Sequence, residues 1–362
     1  MTSNRWIAIH TGPAHYLDHL GVLAIELGLS LYVTEEATYQ TAKTFYPELD
    51  CKLIDIQELS LNYLATHFDV IFESGHLWAF ELLPLFQLMF NKQMRIVYCP
   101  HGNSDKGHSQ APIPKDISLV YGPHMMDHLK KTGSLDKINS TVLTGNYRYR
   151  YYLKNKDFYD NLLKPELEGK LDPEKKTIFY APSWPDGENA SSFLTSADRV
   201  LKEVGEFYNI IVRWHPFLDD LYPIETHQLL GQYENKKGIV FLHEVPCIYP
   251  ILNASDGYLG DFSSIGYDFL AFNKPLFFLD SHFGMLYKCG MQLNLDEHLG
   301  KSILRYIKEP MFSKLIQETY QYVFGETRDG KEILKDLKKA LSCDKAFLEN
   351  YLQPQQDLDF SP

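Results

Sequence analysis

The feature that most constrains this chain is an alternation that runs, stops and starts again. Short apolar runs bounded by turn residues alternate with longer segments whose apolar residues recur at helical spacing. "WIAIH" (6–10) ends at "TGP" and is followed by "HYLDHLGVLAIELG", where Leu17, Leu20, Val22, Leu23 and Leu27 trace one helix. The strand pattern returns at "SLYVT" (30–34), "FDVIFES" (68–74), "MRIVYCP" (94–100), "ISLVYG" (117–122) and "STVLTG" (140–145). "WAFELLPLFQLMF" and "PHMMDHLKKTG" read as helices between them. Strands separated by helices pair in parallel, with helices on both faces. From Leu153 the sequence turns charge-rich and carries Pro165 and Pro173, which reads as a helix and linker. The rhythm restarts at "KTIFYAPSW" (176–184), and "NIIVRWHP" (209–216), "GIVFLHE" (238–244) and "KPLFFLD" (274–280) follow as strands. The expectation is an α/β chain of two Rossmann-like domains facing each other across a cleft. The first spans residues 1–152 and the second 176–330, with a linker at 153–175 and a helical tail at 331–362.

Composition narrows what such a chain can bind. The 35 basic and 47 acidic residues leave a net charge of −12, and no basic stripe of the kind that tracks a phosphate backbone is visible, so nucleic acid is not expected as a partner. A small anion remains compatible, because a local pocket can be positive inside an acidic protein. Five widely spaced cysteines with no C-x-x-C pair argue against a zinc ribbon or a disulfide framework. The N-terminus lacks a basic and then apolar leader, and no apolar run reaches the length of a membrane span, so the expected location is the cytoplasm, with peripheral membrane contact left open.

In open α/β sheets ligands sit beyond the C-terminal ends of the strands, so the residues there carry the functional reading. "PHGNSDKG" follows the strand at 94–100. It supplies His101 as a base or donor, Gly102 for close backbone approach, and Lys106 as a point charge. The plain alternative is a polar turn. "RWHP" places Arg213 and His215 on one side of a strand, with Arg213 either a phosphate partner or one half of a surface ion pair. In "LGDFSSIGYDFLAFN", Asp261, Ser263 and Ser264 precede a helix; one of them is accounted for as an N-cap, and the set also suits an anion at a helix N-terminus. "FYAPSWPDG" ends a strand with Ser183 and Trp184, and Trp184 reads first as core. Gly12 and His15 sit at the first strand-to-helix turn. His15 and His19 are four apart, but no Glu follows in H-E-x-x-H fashion, and the chain's D-x-D lies in the tail at 357–359. No metal or cofactor is therefore expected.

Taken in order, these stretches resemble the CDP-glycerol glycerophosphotransferase family, the teichoic-acid primases and polymerases with a GT-B-like fold. "HGNSDK" is similar to its "HGxxxK", "FYAPSW" to its "YAPTW", and "RWHP" to its "R-x-HP". "GDFSSIGYDFLAFNKPLFF" is similar to its "D-x-SS…D…KP", and "TRDGK" to its closing "DGK". "TGNYRYRYY" stands where the family has "TGxPRxD" and lacks the Pro and the Asp. The resemblance covers about residues 95–331. It implies a metal-independent transferase that moves a glycerol phosphate or related phosphopolyol from a CDP-activated donor to a hydroxyl of a polyol phosphate or glycan. His101 would be the general base. His215, Ser263 and Ser264 would hold the diphosphate with Asp261 nearby, and Arg213 and Lys106 would assist. Gly12 and His15 would belong to the acceptor side. The alternatives are a GT-B glycosyltransferase or epimerase-like enzyme acting on a nucleotide-sugar, and a nucleotide-sensing protein without catalysis.

Overall fold

A computed structural model describes residues 5–74, 78–103, 115–185, 191–242, 245–261, 263–279, 284–308 and 311–342, the side chains of 78–81 excepted. The strands of the first half are β1 (Trp6–His10), β2 (Leu31–Val33), β3 (Cys51–Leu53), β4 (Val70–Glu73), β5 (Arg95–Tyr98), β6 (Lys115–Val120) and β7 (Ile138–Leu143). The second half holds β8 (Thr177–Ala181), β9 (Asn209–Val212), β10 (Ile239–Phe241), β11 (Gly257–Gly260), β12 (Leu276–Phe278) and β13 (Met291–Gln292). The sheet orders are β3-β2-β1-β4-β5-β6-β7 and β10-β9-β8-β11-β12-β13, and every pairing is parallel. Each order reverses direction once, between β1 and β4 and between β8 and β11. Doubly wound sheets open a crevice at such points.

The central strands are buried on both faces, as parallel sheets covered by helices require. β8 shows why they hold. Ile178 and Tyr180 point into one core, with Val200, Leu201 and Ile303, while Phe179 and Ala181 point into another. The period of two also divides β1, whose Ile7 and Ile9 face a third cluster with Phe86. Ala8 and Phe179 share a single cluster, so apolar packing is continuous from one sheet to the other. The fold is α/β and GT-B-like, as the strand pattern predicts.

Two departures from the sequence reading, and one contact that its helical tail allows, position the site. The segment after β1 is not one helix. It runs as a 3-10 turn (Ala14–Tyr16), a π turn (Leu17–Gly21) and then an α-helix (Val22–Leu27) closed by Gly28 at φ +67°. Two carbonyls of the π turn are taken by side chains from elsewhere: Arg148 Nε donates to Asp18 O and Tyr147 Oη to His19 O. Those bonds compete with the regular ladder, and π turns are frequent at functional positions. The strands β3 and β13 lie outside the sequence reading, and β11 enters it only as the strand end at "LGDFSS". The chain also returns to the first sheet at its far end. Helix Ser313–Phe324 packs on helix Pro123–Lys131, and helix Gly330–Leu341 packs on β7 and on helix Val22–Leu27. The latter helix is opened by a reciprocal cap between Asp329 and Glu332. No helix among the described residues is long and apolar enough to cross a membrane.

Candidate active site in the cleft

Both sheets aim their C-terminal strand ends at one hollow. From the first half, the loop after β1 gives His15, the π turn gives Asp18 and His19, the loop after β5 gives His101, and helix Tyr147–Lys154 gives Arg148. From the second half, the ends of β8, β9 and β11 give Ser183, Arg213, His215, Ser263 and Ser264. The hollow, about 120 Å³, shares His15, Arg213, Trp214, Pro216 and Pro246 with a larger cavity of about 1060 Å³. One connected space therefore runs between the halves.

Gly102 comes close to Ser264 across the gap. Its φ is +139°, and a Cβ there would lie 2.8 Å from Ser264 Cβ and 2.9 Å from Ser264 Oγ. Only a residue without a side chain lets the HGN turn come that near the serine pair. Gly12 acts one step back. A Cβ on it would stand 3.0 Å from the Tyr16 ring, and Tyr16 stacks on His101 with centroids 4.4 Å apart. Gly12 thus makes room for the aromatic plate that fixes the His101 ring. His15 and His215 face each other from the two halves at 5.9 Å between centroids. The Phe217 amide donates to His215 Nδ1 at 3.2 Å, so in the neutral ring the hydrogen sits on Nε2.

The serine–aspartate turn divides its labour. Ser263 is the N-cap, accepting from the Ile265 amide at 3.4 Å. Ser264 is the serine beside Gly102. Asp261 is fully buried and stands behind the hollow. Its carboxylate accepts from the amides of Ser183 at 2.8 Å and Ser192 at 2.7 Å and from Ser192 Oγ at 2.8 Å, tying the loop after β8 to the end of β11. Lys106 lies outside the described residues.

Five side chains absent from the sequence-derived set hold the site together. Arg148 is buried and forms ion pairs with Asp18 from the π turn and, at 2.9 Å, with Asp268 from the helix after Ser263. Tyr249 donates to Asp268 at 2.9 Å and Tyr46 to Asp18 at 3.1 Å. This triad joins the two halves. Burial pulls Arg148 toward neutrality, but the two aspartates more than offset it and hold the guanidinium charged. Burial pushes the Asp268 carboxyl up, with Arg148 opposing. The signal was present: Arg148 matches the arginine of "TGxPRxD". The family's aspartate position is Arg150, which pairs with Glu26.

Three histidines titrate far below their usual range. Burial holds His10 down to about 4. Burial first, and then the charge of Arg213 with the neighbouring His215, hold His15 down to about 2. Burial and Arg148 hold His19 well below its ordinary value. Arg213 is half-buried. One of its nitrogens donates to Pro246 O at 3.4 Å, and Nη1 has no partner among the described residues. The hollow therefore presents the neutral imidazoles of His15 and His19 and two guanidinium groups, one of them held by carboxylates. Such a lining suits a phosphate chain carrying hydroxyls. Among the described residues no three His, Cys, Asp or Glu side chains gather to hold a metal ion.

Comparison with known proteins gives a consistent picture. The family model described as CDP-Glycerol:Poly(glycerophosphate) glycerophosphotransferase matches residues 112–298, just over half of the chain. A teichoic acid poly(glycerol phosphate) polymerase from Staphylococcus epidermidis is 30% identical over 114 residues, covering 30% of this chain and 15% of the polymerase. Among solved structures, the wall teichoic acid polymerase TagF aligns over 94% of this chain and 90% of its own, with TM-score 0.63 and 16% identity. A UDP-GlcNAc 2-epimerase from Neisseria meningitidis, bound to UDP-GlcNAc, aligns over 92% of this chain and 99% of its own, with TM-score 0.54 and 14% identity. At these identities the structural likeness shows the fold, and both neighbours are GT-B proteins.

Proposed function

The chain belongs to the CDP-glycerol:poly(glycerophosphate) glycerophosphotransferase family, and from that premise we propose that it transfers a glycerol phosphate from CDP-glycerol to a hydroxyl of a polyol phosphate. The observation that carries this reading is the meeting of His101, His215, Arg213 and Ser264 around one hollow, from strand ends up to 163 positions apart (264 − 101). In the proposed reaction the acceptor oxygen attacks the phosphorus that bears glycerol. The bond from that phosphorus to the oxygen bridging to CMP breaks, CMP leaves, and His101 takes the hydroxyl proton. Arg213, His215 Nε2–H and Ser264 Oγ–H face the charge that develops on the leaving phosphate. Phosphoryl transfer depends chiefly on positioning and charge stabilisation, and that is the chemistry these groups offer. The wider cavity beside Trp214 would take the nucleoside. We assign residues 1–152 to the acceptor, residues 176–330 to the donor and 153–175 to the connection, with catalysis independent of metal. The proposed location is the cytoplasm, at the inner face of the membrane.

CMP release from CDP-glycerol tests this directly. His101→Ala is expected to lower turnover by ~10²–10⁴-fold, the usual range for a lost general base, with the circular dichroism spectrum unchanged. His215→Ala is expected to reduce both turnover and CDP affinity, and a chelator is expected to leave the wild-type rate as it was. Full turnover in both variants would end the assignment. A second reading, a nucleotide-sugar enzyme, draws support from the likeness to the UDP-GlcNAc-bound epimerase. A thermal-shift screen separates the two: ligand at ~100 times Kd stabilises by ~2.7 kcal/mol, so the preferred base is the one that shifts the melting curve.

A further inference from the structure

One side chain in the cleft has the wrong polarity for an anion. His19 lies in the π turn and lines the hollow while only 6% exposed. Its Nδ1 is 2.8 Å from Tyr121 Oη, and that phenol donates its single proton to Pro100 O, also at 2.8 Å. The phenol oxygen can therefore only accept from the ring, which places the hydrogen of His19 on Nδ1. Burial and the nearby positive charge of Arg148 keep the imidazole neutral. Nε2 is left as a fixed lone pair on the wall of the hollow.

Arg148 and Arg213 donate, and His215 donates from Nε2. Asp18 and Asp268 accept, but from Arg148, Tyr46 and Tyr249. A pyrophosphate diester carries no hydrogen at neutral pH, so a fixed lone pair repels it. A hydroxyl is the group that satisfies such a lone pair. The position is held from both sides, since Tyr147 bonds the His19 carbonyl at 3.1 Å and Arg148 the Asp18 carbonyl at 3.0 Å. It is also coupled to the general base, because the carbonyl that orients Tyr121 belongs to Pro100, directly before His101.

A single hydroxyl has one proton and cannot serve His101 and His19 together. We propose that His19 Nε2 accepts a hydrogen bond from the hydroxyl next to the attacking one, so that this wall of the cleft recognises a vicinal diol at the end of the acceptor. This rests on the transfer reading given above and adds to it the residue that selects the acceptor.

The test compares two probes, glycerol 3-phosphate and propane-1,3-diol monophosphate, which differ by the central hydroxyl. Each is titrated into the protein with CMP present, and each is supplied as acceptor with CDP-glycerol. A buried lone pair left unsatisfied discriminates by roughly tenfold or more. Wild type is therefore expected to bind the diol at least about tenfold tighter. His19→Phe is expected to bring the two within about twofold, while Ser264→Ala weakens CDP binding and keeps the preference. Tyr121→Phe, which frees the tautomer and leaves His19 in place, is expected to lose part of the preference. Equal or absent binding of both probes by wild type overturns the proposal, as does an unchanged preference in a folded His19→Phe. If that variant does not fold, the Tyr121→Phe ratio decides in its place. CDP-glycerol that is neither bound nor turned over, with the His19-dependent preference intact, would remove the donor assignment and leave this one standing. Turnover with a preference indifferent to His19 would do the reverse.

Discussion

A methyl group at position 102 is the smallest change that should reach the chemistry. Gly102 combines a φ of +139° with a side-chain direction blocked by Ser264 at 2.8 Å. Gly102→Ala must therefore either distort the HGN turn or push the serine away. Strain in such a backbone region costs about 1–3 kcal/mol. The expected result is a drop in CDP-glycerol turnover of at least about tenfold, with a parallel loss of thermal stabilisation by CDP. The paired control is Gly133→Ala, at φ +69° with open space around it, which should lower stability slightly and leave turnover alone. Similar effects from both substitutions would show that the contact between Gly102 and Ser264 has no functional weight.

At the level of elements, the Arg148 triad and the strand β11 show what a sequence displays and what it hides. Arg148→Met removes the cation between Asp18 and Asp268, and breaking a buried pair in this way costs about 3–5 kcal/mol. The pH dependence follows from the direction of the shift. Burial already raises the Asp268 carboxyl above its unfolded value, and Arg148 is what opposes this. Without Arg148 the carboxyl rises further. A carboxyl whose folded-state value exceeds its unfolded one favours folding below the unfolded value and loses that contribution as pH rises through the folded value. The deficit of Arg148→Met is thus expected to be larger near about pH 8 than near about pH 5 in urea melts, and a pH-independent deficit would contradict it. The sequence displayed Arg148 through its match to "TGxPRxD", but the missing Pro and Asp drew attention away from it. β11 was legible only at its C-terminal end. It is central to the second sheet, yet it reads "GYLG". Its glycines are set by neighbours rather than by turns: a Cβ at Gly257 would meet Ile178 Cδ1 at 3.0 Å, and one at Gly260 would meet Tyr258 Oη at 2.2 Å. Local propensity carries no trace of such crowding. The π turn was hidden for the same reason, since its cause is side chains 130 positions away in sequence. The long buried strands, whose apolar runs need no partner to be recognised, were legible from the start, and so were the His, Arg and Ser residues at their ends.

For the whole molecule, the return of the chain end to the first sheet makes stability in the first half depend on residues beyond 313. Leu337 is fully buried against that half. Leu337→Ala should cost about 2–5 kcal/mol, measured as a lower urea midpoint, while leaving the pyrophosphate contacts intact. A variant that lost donor affinity at unchanged stability would place that helix in the site instead. The lining of the cleft has a further consequence when its charges are added. Arg148 and Arg213 balance Asp18 and Asp268, and the imidazoles of His15 and His19 are neutral, so the walls are close to electroneutral before any ligand arrives. A nucleotide diphosphate brings negative charge to within reach of the His15 ring, which burial and the neighbouring cations keep neutral, and it reverses the second of those influences. Entry of the anion should draw hydrogen ions from the medium. The heat of CDP binding would then change with the ionisation enthalpy of the buffer, more steeply as the solution is made more acidic, and identical heats in phosphate and Tris would show that the His15 ring stays neutral throughout.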